Sequence, residues 1–166
     1  RQASEGEYVT ADYFPVSDKD IEVMFDELLT YITSVENPFY RKLLGMFFME
    51  DEEFIRSFKC HSAAKSVHHG FIGGLLEHTL SVTKLCDFYC KNYSILNRDL
   101  LITAAILHDM GKVDEISEFP GNDYTDDGQL IGHIVIGSEK IAMAVREIPG
   151  FPPKMSNELR HCILAH

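Results

Sequence analysis

Nothing in the 166-residue sequence approaches the ~20 consecutive apolar residues of a membrane span, and its opening, RQASEGEYVT, lacks the apolar core of a signal peptide. No membrane partner is expected, and the protein is placed in the cytoplasm. Positive charge is scarce. Fifteen Lys+Arg against 26 Asp+Glu give a net charge of −11, the reverse of what non-specific duplex binding requires. The deficit is uneven, because residues 1–60 carry 13 acids and 6 bases while residues 61–166 carry 13 and 9, so a local positive groove stays open to the second half. The four cysteines, Cys60, Cys86, Cys90 and Cys162, form no CxxC pair, which argues for buried free thiols over a zinc ribbon or a redox couple. There is no GxSxG, no P-loop and no dinucleotide-binding glycine fingerprint, and neither strand-like alternation nor an internal repeat.

What is present is enough for one folded domain: 45% hydrophobic and 25% charged residues support a core that buries roughly 70% of the unfolded chain's surface. Residues 1–16 read as a linker or arm, with Gly6, Pro15 and no apolar period, and residues 17–166 as an all-α helical bundle. Ser17 and Asp20 suggest a capping box before Ile21, Phe25, Leu28, Leu29 and Ile32, a helix ending near Val35. Asn37-Pro38 predicts the next start, leading into Phe39, Leu43, Leu44, Phe47 and Phe48. A short acidic helix is expected over residues 50–58, and a glycine- and histidine-rich connection over 61–74. Residues 75–93 read as helix. Asn97 caps another over 99–110, whose LLITAAIL centre is apolar nearly all round and therefore central, with Gly111 as its expected terminator. Residues 120–128, with the turn signal Asp127-Gly128, predict a loop or small hairpin. Helix resumes over 131–146, and Ser156 is expected to cap the last one.

The eight histidines, His61, His68, His69, His78, His108, His133, His161 and His166, all follow residue 60. His108 and Asp109 stand where the most apolar helix ends, and a carboxylate buried there needs a partner that a metal ion would supply. His78, His133 and His166 lie on three other predicted helices, the way bundles build metal sites in their cores. Imidazole plus carboxylate without thiolate favours manganese, iron or cobalt, with zinc as runner-up and magnesium less favoured. His61 reads as an ordinary core histidine. His161 lies five residues before His166, about 140° around the helix, so His166 is the favoured ligand.

The strings GGLLEHTLSV (73–82), AAILHDMGK (104–112), GHIVIG (132–137) and LRHCILAH (159–166) resemble the HD-domain superfamily of metal-dependent phosphohydrolases, and more narrowly the bacterial HD-domain 3′–5′ exoribonucleases. The resemblance runs from about Tyr13 to the end. It implies an HD-domain helical bundle, two divalent metal ions, and His78, His108, Asp109, His133 and His166 as ligands, with Asp109 bridging. It further implies Asp109, Lys112 and His69 as catalytic residues, and His68, His69 and Lys112 on the substrate side. Because the surface is acidic, grip on RNA is expected from an N-terminal domain or from a narrow groove near Lys65, Lys112 and Arg160, which adds Arg160 to the substrate-binding residues. The alternative for Lys112 is an exposed helix-end lysine, and for His68 and His69 ordinary loop histidines. The family pattern adds a histidine after His166 and a later aspartate, so the domain is expected to be incomplete at its C-terminus. An oligonucleotide-binding domain is expected N-terminal to it in the full-length protein. The implied reaction is phosphodiester hydrolysis by metal-activated water on single-stranded RNA. Its competitors are a nucleotidase or cyclic-nucleotide phosphodiesterase acting on a small molecule, and a non-catalytic nucleotide- or partner-binding module.

Overall fold

The computed structural model describes residues 14–65 and 70–166, and the expected all-α architecture is what it contains. Its elements are α1 (Ile21–Thr33), α2 (Pro38–Gly45) continued by a π-helical turn (Met46–Glu50), α3 (Glu52–Cys60) and α4 (Gly74–Asn92), then α5 (Arg98–Leu107), α6 (Lys112–Glu115), α7 (Asp126–Leu130), α8 (His133–Arg146) and α9 (Pro153–Ala165). Among the described residues the only extended pairing is two isolated bridges, Val16 with Ile72 and Ile116 with Tyr124. No described helix is long and apolar enough to cross a membrane.

Local chemistry sets most helix starts. Asp20 caps α1 by accepting from the Glu22 and Val23 amides, Asn37 caps α2 ahead of Pro38, and Asp51 and Asn97 cap α3 and α5. Ser17 is not part of a capping box: its hydroxyl donates to Glu77 on α4 at 2.6 Å. The arm assigned to residues 1–16 lies mostly outside the described residues, but Pro15 and Ser17 pair with the backbone of Ile72 across the α3–α4 connection.

The inward faces of α1, α2 and α3 meet α4 and α5 in one core that includes Leu28, Ile32, Leu43, Leu44, Phe48, Phe58, Leu75, Leu76, Ile102 and Ile106. Each such side chain contributes about 2 kcal/mol of burial. Phe48 is edge-on to both Phe54 and Phe58, so the Phe47–Phe48 pair serves packing. As expected, α5 is buried nearly all round, from Ile102 to Leu107, between α4 and α9.

Four further expectations need correction. The cysteines are free but not buried: Cys60 is exposed and Cys86, Cys90 and Cys162 are half-buried. Gly111 has φ −68° and begins α6; it is not a left-handed terminator. Asp127-Gly128 lies inside α7, capped by Thr125, because Gly128 fits against the Glu115 carbonyl, where a Cβ would clash. Helix α9 begins at Pro153, so Ser156 already sits in its first turn.

The α4–α5 corner carries a testable ion pair. Asp87 is buried on α4 and binds Arg98 at 2.8 Å and Lys91 at 2.7 Å. Burial alone would raise its pKa, but the hydrogen bonds from Lys91 and Arg98 outweigh it and hold the carboxyl below its ordinary range. A folded-state pKa below the unfolded value gives stability that is present above about pH 4 and lost as pH falls through the folded value. Asp87→Asn is therefore expected to cost about 1–2 kcal/mol at pH 7, discounted for the exposure of both cations. The gap to wild type should close in urea melts taken towards pH 3, and a gap independent of pH would contradict this account.

Candidate metal centre

Four elements converge on Asp109, which is 3% exposed. It follows the end of α5 in the turn leading to α6, where the buried helix opens onto the start of α8 and the end of α9. Its two oxygens face different partners. Oδ2 lies 3.3 Å from His108 Nε2, 3.4 Å from His78 Nε2 and 2.9 Å from Lys112 Nζ. Oδ1 lies 3.4 Å from His133 Nε2 and 3.6 Å from His166 Nε2. Two groups thus have the spacing of metal ligands, His78–His108–Asp109 and Asp109–His133–His166.

The protonation of the imidazoles follows from their outer contacts. His108 Nδ1 is 2.7 Å from the Ala105 carbonyl and His166 Nδ1 is 2.6 Å from the Ile163 carbonyl, and since a carbonyl only accepts, each Nδ1 carries the hydrogen. His133 Nδ1 donates likewise to Glu115 Oε1 at 2.8 Å, and the His133 backbone amide donates to the same oxygen at 3.0 Å. The Nε2 atoms of all three rings therefore turn towards Asp109, each a ligand atom once it gives up any proton it carries. His78 and His108 bring their Nε2 atoms to 3.2 Å. Imidazole nitrogens converging on an ionised carboxylate make a donor set that fits divalent cations, which would displace any proton held on Nε2, and the absence of thiolate from it suits imidazole- and oxygen-preferring metals. Burial pushes the Asp109 pKa up, but the hydrogen bond and charge of His108 and the pairing with Lys112 prevail and hold it far below the ordinary range.

The structure brings His78, His108, Asp109, Lys112, His133 and His166 together. Lys112 bridges Asp109 Oδ2 and the Ala63 carbonyl, each at 2.9 Å. Arg160 stands apart, its Nε donating to Ser138 Oγ at 3.1 Å. His68 and His69 lie outside the described residues. His161 is exposed, while His61 is buried with Nε2 donating to the Ile116 carbonyl at 2.6 Å, a core histidine as expected.

Glu115 is the participant that sequence reasoning missed. It is 8% exposed and orients His133, as metal-ligating imidazoles usually require. That general rule was the one available signal; no local spacing ties residue 115 to residue 133. Gly111 is the other, because a Cβ there would stand 2.1 Å from the His133 carbonyl oxygen, so only glycine lets α8 seat against the Asp109 turn.

Residues 75–165 match the family model described as the HD domain. The 3′–5′ exoribonuclease YhaM of Geobacillus sp. (strain WCH70) is 34% identical over 167 residues, covering 100% of this chain and 50% of that protein. The 3′–5′ exoribonuclease YhaM of Bacillus subtilis (strain 168) is 33% identical over 174 residues, covering 100% and 52%. The protein of the same name from Listeria innocua is 32% identical over 167 residues. The chain thus spans about half the length of the curated relatives it matches. No solved structure matches it significantly.

Proposed function

Because the chain belongs to the HD-domain family and divides the two oxygens of one buried aspartate between two pairs of histidines, we propose that it is a metal-dependent phosphodiester hydrolase that shortens single-stranded RNA from the 3′ end. The split of Asp109 is the observation that carries this reading, since a single carboxylate serving two ligand groups is how a two-ion phosphoester site is assembled. His78, His108 and Asp109 Oδ2 would hold one ion, and Asp109 Oδ1, His133 and His166 the second. Bound there, two divalent cations, manganese, iron or cobalt ahead of zinc or magnesium, would supply Lewis acidity towards the phosphate and lower the pKa of the attacking water.

The chain's own residues do the rest. Asp109, ionised and fixed from both sides, orients the attacking water. Lys112, anchored on the Ala63 carbonyl and close to Asp109, offsets charge on the non-bridging phosphate oxygens. His69 is the proposed proton source for the leaving oxygen, with His68 and Arg160 on the substrate side. Glu115 keeps His133 in the tautomer that presents Nε2 inward. The exoribonuclease names of the relatives support RNA as the substrate, and an oligonucleotide-binding domain N-terminal to residue 17 in the longer protein would supply grip that this acidic domain lacks. The surplus of acids keeps a second reading alive, the same hydrolysis on a nucleoside monophosphate or cyclic nucleotide.

The test is a 5′-labelled single-stranded oligoribonucleotide incubated with the protein and manganese, with cyclic AMP and AMP in parallel. A ladder shortening from the 3′ end and abolished by chelator is the expected result. Hydrolysis of the small nucleotides alone would overturn the RNA assignment, and hydrolysis of none would overturn the phosphohydrolase reading.

A further inference from the structure

The start of α8 and the end of α9 meet at the metal centre, where the His133 and His166 rings lie 5.8 Å apart, so the two helices run antiparallel and their joined ends point away from it. Along this hairpin runs a groove of 440 Å³, a volume in the range of small-molecule sites. Val145, Pro149 and Pro153 give it apolar surface over the buried Ile148 and Phe151, and Arg146, Asn157 and Arg160 give it polar groups. Every described lysine is ion-paired with a carboxylate, from Lys19 with Glu77 to Lys154 with Glu158. Arg146 and Arg160 are in no ion pair among the described residues, and Arg160 uses only its Nε, on Ser138, which leaves both terminal nitrogens for a ligand. Arg41 and Arg56 are likewise in no ion pair among the described residues, but Arg146 and Arg160 line one groove, and a planar fork of donors matches phosphate oxygens.

We propose that the α8–α9 groove is a second nucleotide-binding site, in which Arg146 and Arg160 hold phosphates while the apolar wall of Val145, Pro149 and Pro153 takes the base. It rests on the phosphodiesterase reading for its biological use. By helix rise, Arg160 lies about 9 Å along α9 from His166 and Arg146 about 20 Å along α8 from His133. The groove therefore suits the body of a strand whose end is at the metal centre. The ligand chemistry is a phosphate bearing a nucleoside, which an RNA strand or a free nucleotide would each supply.

Binding is read by fluorescence anisotropy of a labelled ten-residue oligouridylate, and separately of labelled AMP, with chelator present so that neither metal nor turnover contributes. Arg146→Ala and Arg160→Ala are each expected to weaken oligouridylate binding about 10-fold or more. The double variant should lower the slope of log affinity against log salt by about 1.4, at about 0.7 for each phosphate of a single strand that is no longer neutralised. Arg146→Lys should restore part of the affinity, because it keeps the charge and loses the fork. Unchanged far-ultraviolet circular dichroism and metal content distinguish a missing guanidinium from a misfolded protein. Loss of AMP binding in the variants, with no oligouridylate bound by wild type, keeps the site and names the free nucleotide as its ligand. Oligouridylate and AMP binding that are both absent in wild type, or both untouched by the double variant, overturn the proposal. Hydrolysis with manganese is scored separately, so arginine-dependent binding without any hydrolysis would sink the phosphodiesterase reading and leave the groove.

Discussion

Asp109→Ala is expected to empty both halves of the metal centre at once. Protein purified without chelator should carry metal when wild type and less than about a tenth as much in the variant, and hydrolysis should fall by more than the 10–100-fold that attends loss of an outer-shell partner of a metal ligand. The reason is the division of its oxygens: Oδ2 belongs to the His78–His108 group and Oδ1 to the His133–His166 group, so one truncation removes a donor from each. Single histidine changes supply the contrast. His78→Ala should lose one side and His133→Ala the other, each leaving about half of the metal. Glu115→Gln, which keeps the shape and weakens the acceptor of His133, should fall between the histidine variants and wild type. Elemental analysis of the five proteins decides the matter. An Asp109→Ala protein that retains a full complement, or histidine variants that lose everything, would show that the aspartate does not join two sites.

The residues of the candidate cluster could be singled out from sequence because local signals mark the helices that bear or adjoin them. The apolar run of α5 announces a central helix, Asn97 fixes its start, and a charged residue at its end is conspicuous because burial makes it costly. Asn37-Pro38 likewise speaks for its helix within three residues. What stayed hidden is everything that depends on one segment approaching another. Glu115 looks like one more acid in an acidic chain until α8 arrives beside it. Gly128 resembles a turn residue, yet its position is set by the Glu115 carbonyl, where a Cβ would come within 2.1 Å. Gly111 behaves the same way: the position after a helix suggests a terminator, but its φ of −68° is open to any residue, and its smallness serves close packing. Arg160 is read from sequence as part of a groove that grips RNA, but its contact with Ser138 and its place between α8 and α9 arise only when the two helices pair.

Gly111→Ala should therefore be far more damaging than its backbone angles suggest. The added Cβ would meet the His133 carbonyl oxygen at 2.1 Å, the Gly137 nitrogen at 2.8 Å and the His133 carbonyl carbon at 2.9 Å. All three are backbone atoms of α8, so no side-chain rotation relieves the clash and the first turn of that helix must back away. Overpacking of this kind costs about 3 kcal/mol, which for a domain of this size lowers Tm by about 6–12 °C. The same retreat carries His133 away from Asp109 Oδ1, now 3.4 Å distant, and should strip metal from the His133–His166 side while the His78–His108 side keeps its share. Gly150→Ala is the control with the opposite cause. Gly150 has φ +75° with nothing within 4 Å of the added carbon, so it should cost only about 1–2 kcal/mol of backbone strain and leave metal content unchanged. Thermal melts and elemental analysis on the same preparations separate the two. If Gly111→Ala melts within about 1 °C of wild type with its metal intact, α8 does not sit as close to the Asp109 turn as the geometry requires.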